Sequence, residues 1–315
     1  MKLSPTGRSL VKPRGEAAVA LGGRRGLARL TRYLYLLPAL ALLVYVVAYP
    51  LLTALYESLQ NLQLTDLEDQ RFVGLANYAL LFHDEVFWHS FLTTIVFSLA
   101  TVVASFLLGL WFAALVEALP PAFAFVRGLL MAPWVQPSIV VGFLFLYIFD
   151  QDVGLVNLVL NEFHLVSAGL PWLAADKLSL TAVIVANVWS QTPFFLLMFS
   201  ATIAGIPQDL RDAMRIDGAT SWREFVNLTL PFLRNVMVVS SILMLIRSFN
   251  NFPVIWTMTQ GGPVYATTTL VIYIYRLAFE QFNLGYAAAI GVIWLLVLML
   301  ISAVYIRLIR REPLI

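Results

Sequence analysis

One arginine stands inside an otherwise uncharged apolar run. Arg247 lies in the stretch Asn235–Thr259, and Asn250 and Asn251 follow three and four residues later. On a helix these spacings put the three side chains on one face. A guanidinium presents flat, forked N–H donors that fit a phosphate or carboxylate, and amides can both donate to and accept from hydroxyls. A second pair, Asn187 and Gln191, is one turn apart in another apolar run, with Trp189 between them. Amides beside aromatic faces suit neutral sugars, which offer hydroxyls and apolar C–H faces. Polar groups in such runs are costly and face an interior or a cavity. These five residues therefore either line the path of a polar solute or fasten helices to one another or to a second polypeptide.

Other chemistry finds no residues. There is no cysteine, hence no disulfide and no thiolate metal site. His83, His89 and His164 lack metal-ligand spacing and read as solvated loop residues. Asp66, Glu68 and Asp69 read as a charged surface rather than an acid–base pair. The long apolar runs contain no Asp, Glu, His or Cys. A membrane-embedded enzyme would need a nucleophile and base or metal ligands there, and a secondary transporter or channel, the alternative class, would carry ionisable coupling groups in several runs. No phosphate-binding Gly-x4-Gly-Lys-Ser/Thr loop occurs, so ATP is not expected to bind this chain. A net charge of +2 gives no reason to expect a nucleic-acid partner.

The elements that would position these residues are membrane helices. Of 315 residues, 60% are hydrophobic and 12% charged, about half the charged share of a soluble domain. Crossing the hydrocarbon takes about 20 apolar residues. Six segments qualify: Tyr33–Tyr56, Phe91–Val116, Gly128–Phe149, Leu178–Ile206, Asn235–Thr259 and Tyr286–Ile306. Lipid cannot satisfy backbone polar groups, so each is expected to be helical, and the chain all-α. With both termini inside, 16 of the 20 Lys and Arg lie on the inner side and three on the outer, while Arg247 sits in the membrane. That asymmetry predicts an N-in/C-in, multi-pass membrane protein. Residues 1–31 are basic and Gly-rich without a compact apolar core, and read as a disordered cytosolic tail rather than a signal peptide. Val264–Phe279 is apolar but short, and reads as an interfacial or re-entrant helix on the outer side. Pro133, Pro137 and Pro193 are expected to kink the third and fourth spans.

The loop 207–234 is longer than a turn requires. Pro207 ends the fourth span, and Gln208–Asp217 reads as a short amphipathic helix. Leu210, Ala213 and Met214 share one face, bordered by Asp209, Arg211, Asp212 and Arg215. Gly218 permits a sharp turn. Thr220 or Ser221 can cap the next helix, with Glu224 placed for a capping box, and Pro231 precedes the fifth span.

Asp212-Ala213-Met214, three residues, Gly218, nine residues, then Leu228-Thr229-Leu230-Pro231 resembles the Glu-Ala-Ala loop of ABC-importer permeases, with Asp for Glu, Met for the second Ala and Leu for Ile. Phe72-Val73-Gly74-Leu75-Ala76-Asn77-Tyr78 resembles the first outer loop of carbohydrate-type members. Thr259-Gln260-Gly261-Gly262-Pro263, Tyr275, Phe279 and Gly285-Tyr286-Ala287-Ala288-Ala289-Ile290 resemble their segment before the last span. The resemblance covers about residues 32–311 and is nearest to the maltose, multiple-sugar and glycerol-3-phosphate importers.

It implies a type I importer permease fold of six transmembrane helices over 32–311, carrying half of a path for a sugar or sugar-like solute. The implied partners are a second homologous six-span permease, a cytosolic ATPase dimer holding ATP and Mg, and an extracytoplasmic solute-binding protein. In such permeases the loop helix enters a groove on the ATPase. Leu210, Ala213 and Met214 would then fill the groove, Asp212 would touch its wall, and Gly218 would set the angle to the next helix. The path residues would be Asn187, Gln191, Arg247, Asn250 and Asn251.

Overall fold

The computed structural model describes residues 35–120, 124–166 and 168–310, so the basic tail 1–31 lies outside the described residues. Two compact units meet at Tyr56–Glu57. The first contributes one helix, α1 (Tyr35–Glu57), which is apolar and lipid-compatible along its length. Its middle widens into a π-turn at Val44–Ala48, where Tyr49 N–H bonds back to Val44 O. Pro50 follows directly. Proline lacks an N–H and crowds the carbonyl four residues back, and a widened turn makes room for it.

The second unit opens with an antiparallel hairpin, β1 (Gln60–Gln63) with β2 (Asp66–Phe72). Gln60 faces Phe72 and Gln63 faces Asp66, with a bulge between Asn61 and Gln63. The chain is thus mostly helical rather than all-α. The polar, charged strand Asp66–Phe72 carries no apolar alternation to announce it. Asn77 Nδ2 fastens the hairpin to α2 (Ala76–Leu81) by donating to Ser58 O and Gln60 O, both at 2.9 Å.

Next comes α3 (Glu85–Ala118), longer at both ends than the apolar run Phe91–Val116. Asp84 caps it, with Oδ1 accepting from Val86 N–H and Phe87 N–H. Oδ2 accepts the hydroxyls of Tyr273 and Tyr286, each at 2.6 Å. One carboxylate thus joins three helices. Burial, and then the Asp84 carboxylate, push the Tyr273 phenol well above its usual range, so it stays a donor.

The third apolar run is two helices, α4 (Ala124–Val135) and α5 (Ser138–Ile148), meeting at 98°. The break falls at Gln136-Pro137, because a residue before proline is driven out of the helical region. Pro133 sits within α4 and Pro193 within the later helix Asp176–Ala204, and the helix break falls at Pro137. Within α6 (Leu155–Glu162), Asn157 gathers the connection that follows α5. Its amide donates to Gln151 O and Leu170 O, and its oxygen accepts from Leu170 N–H and the Trp172 indole.

Helix α7 (Asp176–Ala204) is the most buried of the candidate spans. It packs along α3 through Phe195, Phe199, Ala182 and Ala186, all fully buried. Contact is closest at Gly109, where a Cβ would collide with Phe195 Cβ and stand 3.0 Å from Leu196 N. The loop helix α8 (Gln208–Ile216) follows, then α9 (Ser221–Phe249). The helix that carries the fifth apolar run therefore starts at Ser221, ahead of Asn235. A π-turn at Phe225–Thr229 carries the helix past Pro231, as in α1. It ends at Phe249, not Thr259, and α10 (Pro253–Thr259) starts anew.

The short apolar segment forms α11 (Leu270–Tyr275), extended by a π-turn at Arg276–Glu280. Leu270, Ile272 and Leu277 are buried in the core rather than laid on the headgroups. Leu270 N–H donates to Thr94 Oγ1 on α3 at 2.8 Å. The last helix is α12 (Leu284–Arg310). Among the described residues, five helices are long and apolar enough to span, and the α4–α5 pair is a sixth, broken candidate.

Replacing Gly109 with Val should force α3 and α7 apart at a cost of about 1–3 kcal/mol. Thermal unfolding in detergent should show a lowered midpoint. Gly128→Ala, where a Cβ meets nothing within 4 Å, should leave it unchanged. Equal midpoints for the two variants would contradict the tight crossing.

Candidate functional site

Two places gather polar residues on an apolar chain. The first is the interruption after Phe249. Pro253 has no N–H to return to Phe249 O, and Asn250 leaves the helical region, so α9 stops at Phe249. Arg247 consequently occupies the last turn of α9, where helix carbonyls partly offset its charge. Its guanidinium lies over the Trp134 ring, 4.5 Å from the centroid. Trp134 itself stacks on Phe194 at 5.3 Å. Stacking occupies the flat face of the guanidinium and leaves its edge donors free for an oxyanion. Among the described residues no carboxylate lies within ion-pair distance of Arg247.

Asn250 and Asn251 do not continue one helical face with Arg247, because the helix has ended. The exposed Asn250 turns back, its amide donating to Ile246 O at 2.9 Å. Asn251 donates across to Asn187 Oδ1 on α7. Asn187 in turn donates to Val183 O at 3.0 Å. One turn along α7, Gln191 Oε1 accepts from Ser248 Oγ at 3.2 Å. Asn187 and Gln191 are buried, so within this chain they clasp α7 to the end of α9. Asn251 Oδ1 is buried and has no partner among the described residues.

Beside the break stands a group of rings that residue-by-residue inspection of polar positions passes over. Phe252 stacks on Trp256 at 5.3 Å, Tyr275 packs against both at 4.9 and 4.7 Å, and Phe279 follows Tyr275 at 5.0 Å. The signal was available as two aromatic pairs at i, i+4.

The second place is α8 with its flanks. Gly205 caps α7, and Pro207 precedes α8 as its N-cap, so the fourth span closes before the proline. The end of α8 is a Schellman turn: Ala219 N–H bonds to Met214 O at 2.9 Å and Gly218 N–H to Arg215 O at 3.0 Å. Gly218 has φ +76° with open space where a Cβ would stand, so the conformation rather than crowding calls for glycine. Thr220 caps α9 by accepting from Arg223 N–H. Glu224 does not close a capping box; its carboxylate faces Arg211 and Arg215 instead.

On α8, Leu210 and Ala213 are exposed and Met214 is half-buried. Ile216 and Trp222 continue the apolar surface, 86% and 71% exposed. Asp212 lies open beside them, with Gln208 Nε2 donating to its Oδ1 at 3.1 Å. The inward side belongs to Arg211, which reaches Ile203 O and the carboxylates of Glu117 and Glu224. Sequence inspection placed Arg211 on the stripe's border and gave Glu117 no part. These contacts join residues 94 and 13 positions from Arg211, and the first has no local signal.

An Asn187→Ala change should lower stability by about 1 kcal/mol, as for other hydrogen bonds between membrane helices. In an Asn251→Ala background the loss should largely vanish. Additive losses in thermal unfolding would show that the two amides are not a pair.

Residues 105–312 match the family described as binding-protein-dependent transport system inner membrane component. The sulfoquinovosyl glycerol transport permease of Agrobacterium fabrum is 34% identical over 285 residues, covering 90% of this chain and 92% of the relative. The sn-glycerol-3-phosphate transport permease of Escherichia coli is 34% identical, covering 89% and 94%. The trehalose/maltose transport permease of Thermococcus litoralis is 31% identical, covering 87% and 92%. In fold, a chain of a bacterial ABC transporter that imports the acidic polysaccharide alginate superposes with a TM-score of 0.79 at 20% identity, covering 92% of this chain and 98% of that one. The chain belongs to the inner membrane component family of binding-protein-dependent transport systems, as a multi-pass permease of the cell inner membrane.

Proposed function

We propose that this permease forms half of the translocation path for a sugar or sugar-like solute and couples it to a separate ATPase. It has six spans with both termini inside, counting α4–α5 as one. A second homologous permease completes the path, an extracytoplasmic protein delivers the solute, and a cytosolic ATPase dimer binds ATP and Mg. The related permeases that carry sugars and glycerol phosphates support this class of solute.

The observation that carries the coupling role is the uncovered apolar face of α8. Leu210, Ala213 and Met214 lie beside the exposed Asp212, while an adjacent face of the helix is anchored by ion pairs. A groove covering about 300 Å² of that face would contribute about 7 kcal/mol before association costs. That is enough to transmit rigid-body motion, while ATP supplies the work.

The helix break supplies the solute contacts. Arg247, Asn250 and Asn251 offer donors and acceptors, and Phe252, Trp256, Tyr275 and Phe279 offer ring faces to C–H groups. Asn187 and Gln191 act behind them, holding Asn251 and Ser248 in place.

Purification of the permease pair should bring down a nucleotide-hydrolysing subunit, and its absence would remove the coupling role. Gly218→Val should strain the turn by about 1–2 kcal/mol. Solute-stimulated ATP hydrolysis should fall while membrane insertion stays intact; unchanged stimulation would count against the docking role. Arg247→Gln should reduce uptake of phosphate- or carboxylate-bearing solutes more than that of neutral sugars. An equal effect on both would take Arg247 out of solute recognition.

A further inference from the structure

The inward side of α8 converges on one guanidinium. Arg211, whose side chain is 14% exposed, donates from Nη2 to Ile203 O at 2.9 Å, in the last turn of α7. The same Nη2 lies 3.6 Å from Glu117 Oε1, next to the inner end of α3. Nη1 lies 3.7 Å from Glu224 Oε1, in the first turn of α9. Arg215 braces the same carboxylate, its Nε 3.5 Å from Glu224 Oε2. These groups wall a cavity of about 230 Å³.

We propose that Arg211 is the positioning residue that carries displacement of the loop helix into three spans at once. The inference rests on the coupling role above, but it names a residue and a load path that this role does not require. The backbone joins α8 to α7 through Gly205–Pro207 and to α9 through the Gly218 turn. Both joints contain a glycine and can flex, and neither reaches α3. The Arg211 side chain bypasses both joints. The planar guanidinium donates a directed hydrogen bond to the carbonyl while its two amino groups each stand within ion-pair distance of a different carboxylate, a spread that a compact ammonium does not offer. Partial burial protects the pairs from screening, unlike the exposed Arg71–Asp69 pair, whose side chains are 69% and 48% exposed. Without Arg211 the docked helix would move while α3 and α7 lagged.

The chain has no cysteine, so labels can be placed at will. Phe82→Cys and Val153→Cys, both exposed and remote from α8, would carry spin labels in the full permease–ATPase complex in nanodiscs. In the otherwise native complex, ATP with vanadate should shift the inter-label distance distribution. Arg211→Ala should retain bound ATPase and trapped nucleotide but reduce the shifted population about threefold or more. Arg211→Lys, which keeps the charge and loses the fork, should restore only part of it. Glu224→Gln, a milder change that guards against misfolding, should also give a partial shift.

A full shift in Arg211→Ala with ATPase bound would overturn the proposal and leave the coupling role standing. Loss of ATPase binding in that variant would make Arg211 a docking residue and overturn it too. Failure of the native complex to bind ATPase, or to shift, would remove the coupling role and this inference together.

Discussion

A helix in hydrocarbon can stop only where something replaces the backbone partners it gives up. That constraint explains where this chain is polar. At the end of α9, Asn250 N–H and Asn251 N–H fold back onto Arg247 O and Ser248 O, and the Asn250 amide takes Ile246 O. On the far side Trp256 N–H returns to Phe252 O. The residues that make the break tolerable are the same ones that bring donors and acceptors into the apolar layer. The proposed solute contacts and a structural repair therefore fall on one arrangement, beside Pro253.

The same constraint shapes the prolines that do not break a helix. Pro50 and Pro231 each follow a π-turn, at Val44–Ala48 and Phe225–Thr229. The wider turn makes room for the proline ring and shifts the hydrogen-bond partner by one residue, as Tyr49 N–H to Val44 O shows. Pro193 is accepted within α7, which lies buried among its neighbours. At Pro137 no such adjustment occurs, and α4 and α5 diverge by 98°.

Sequence alone revealed what depends on local pattern. The apolar runs marked the helices, the glycine at 218 marked a turn, and the loop motif marked the family. It missed what depends on distant partners. The π-turn that carries α9 back to Ser221 has no compositional sign, so Pro231 looked like a boundary. Asn250 and Asn251 looked helical because their spacing from Arg247 is helical, and Pro253 decided otherwise. For Asn187 and Gln191 the pattern left solute contact and helix fastening both open, and their partners Asn251 and Ser248, 64 and 57 residues away, had no local signal. The hairpin β1–β2 escaped because its strands are polar on both faces.

Helix α8 shows how nine residues can serve two masters. Leu210, Ala213 and Met214 form one stripe, while Arg211 and Arg215, one turn apart, form another. The stripes are offset by one residue, about 100° around the axis. One faces away from the chain and the other faces its carboxylates. An apolar contact grips without direction, because burial is proportional to area and indifferent to angle. Ion pairs and hydrogen bonds fix direction but contribute little net binding. A lever needs both, a grip on the side that is pushed and a directional hold on the side that pushes. On the proposed coupling role, interchanging the two chemistries would leave the apolar stripe on the spans and the charges toward the partner, so that the helix would slide where it should be held.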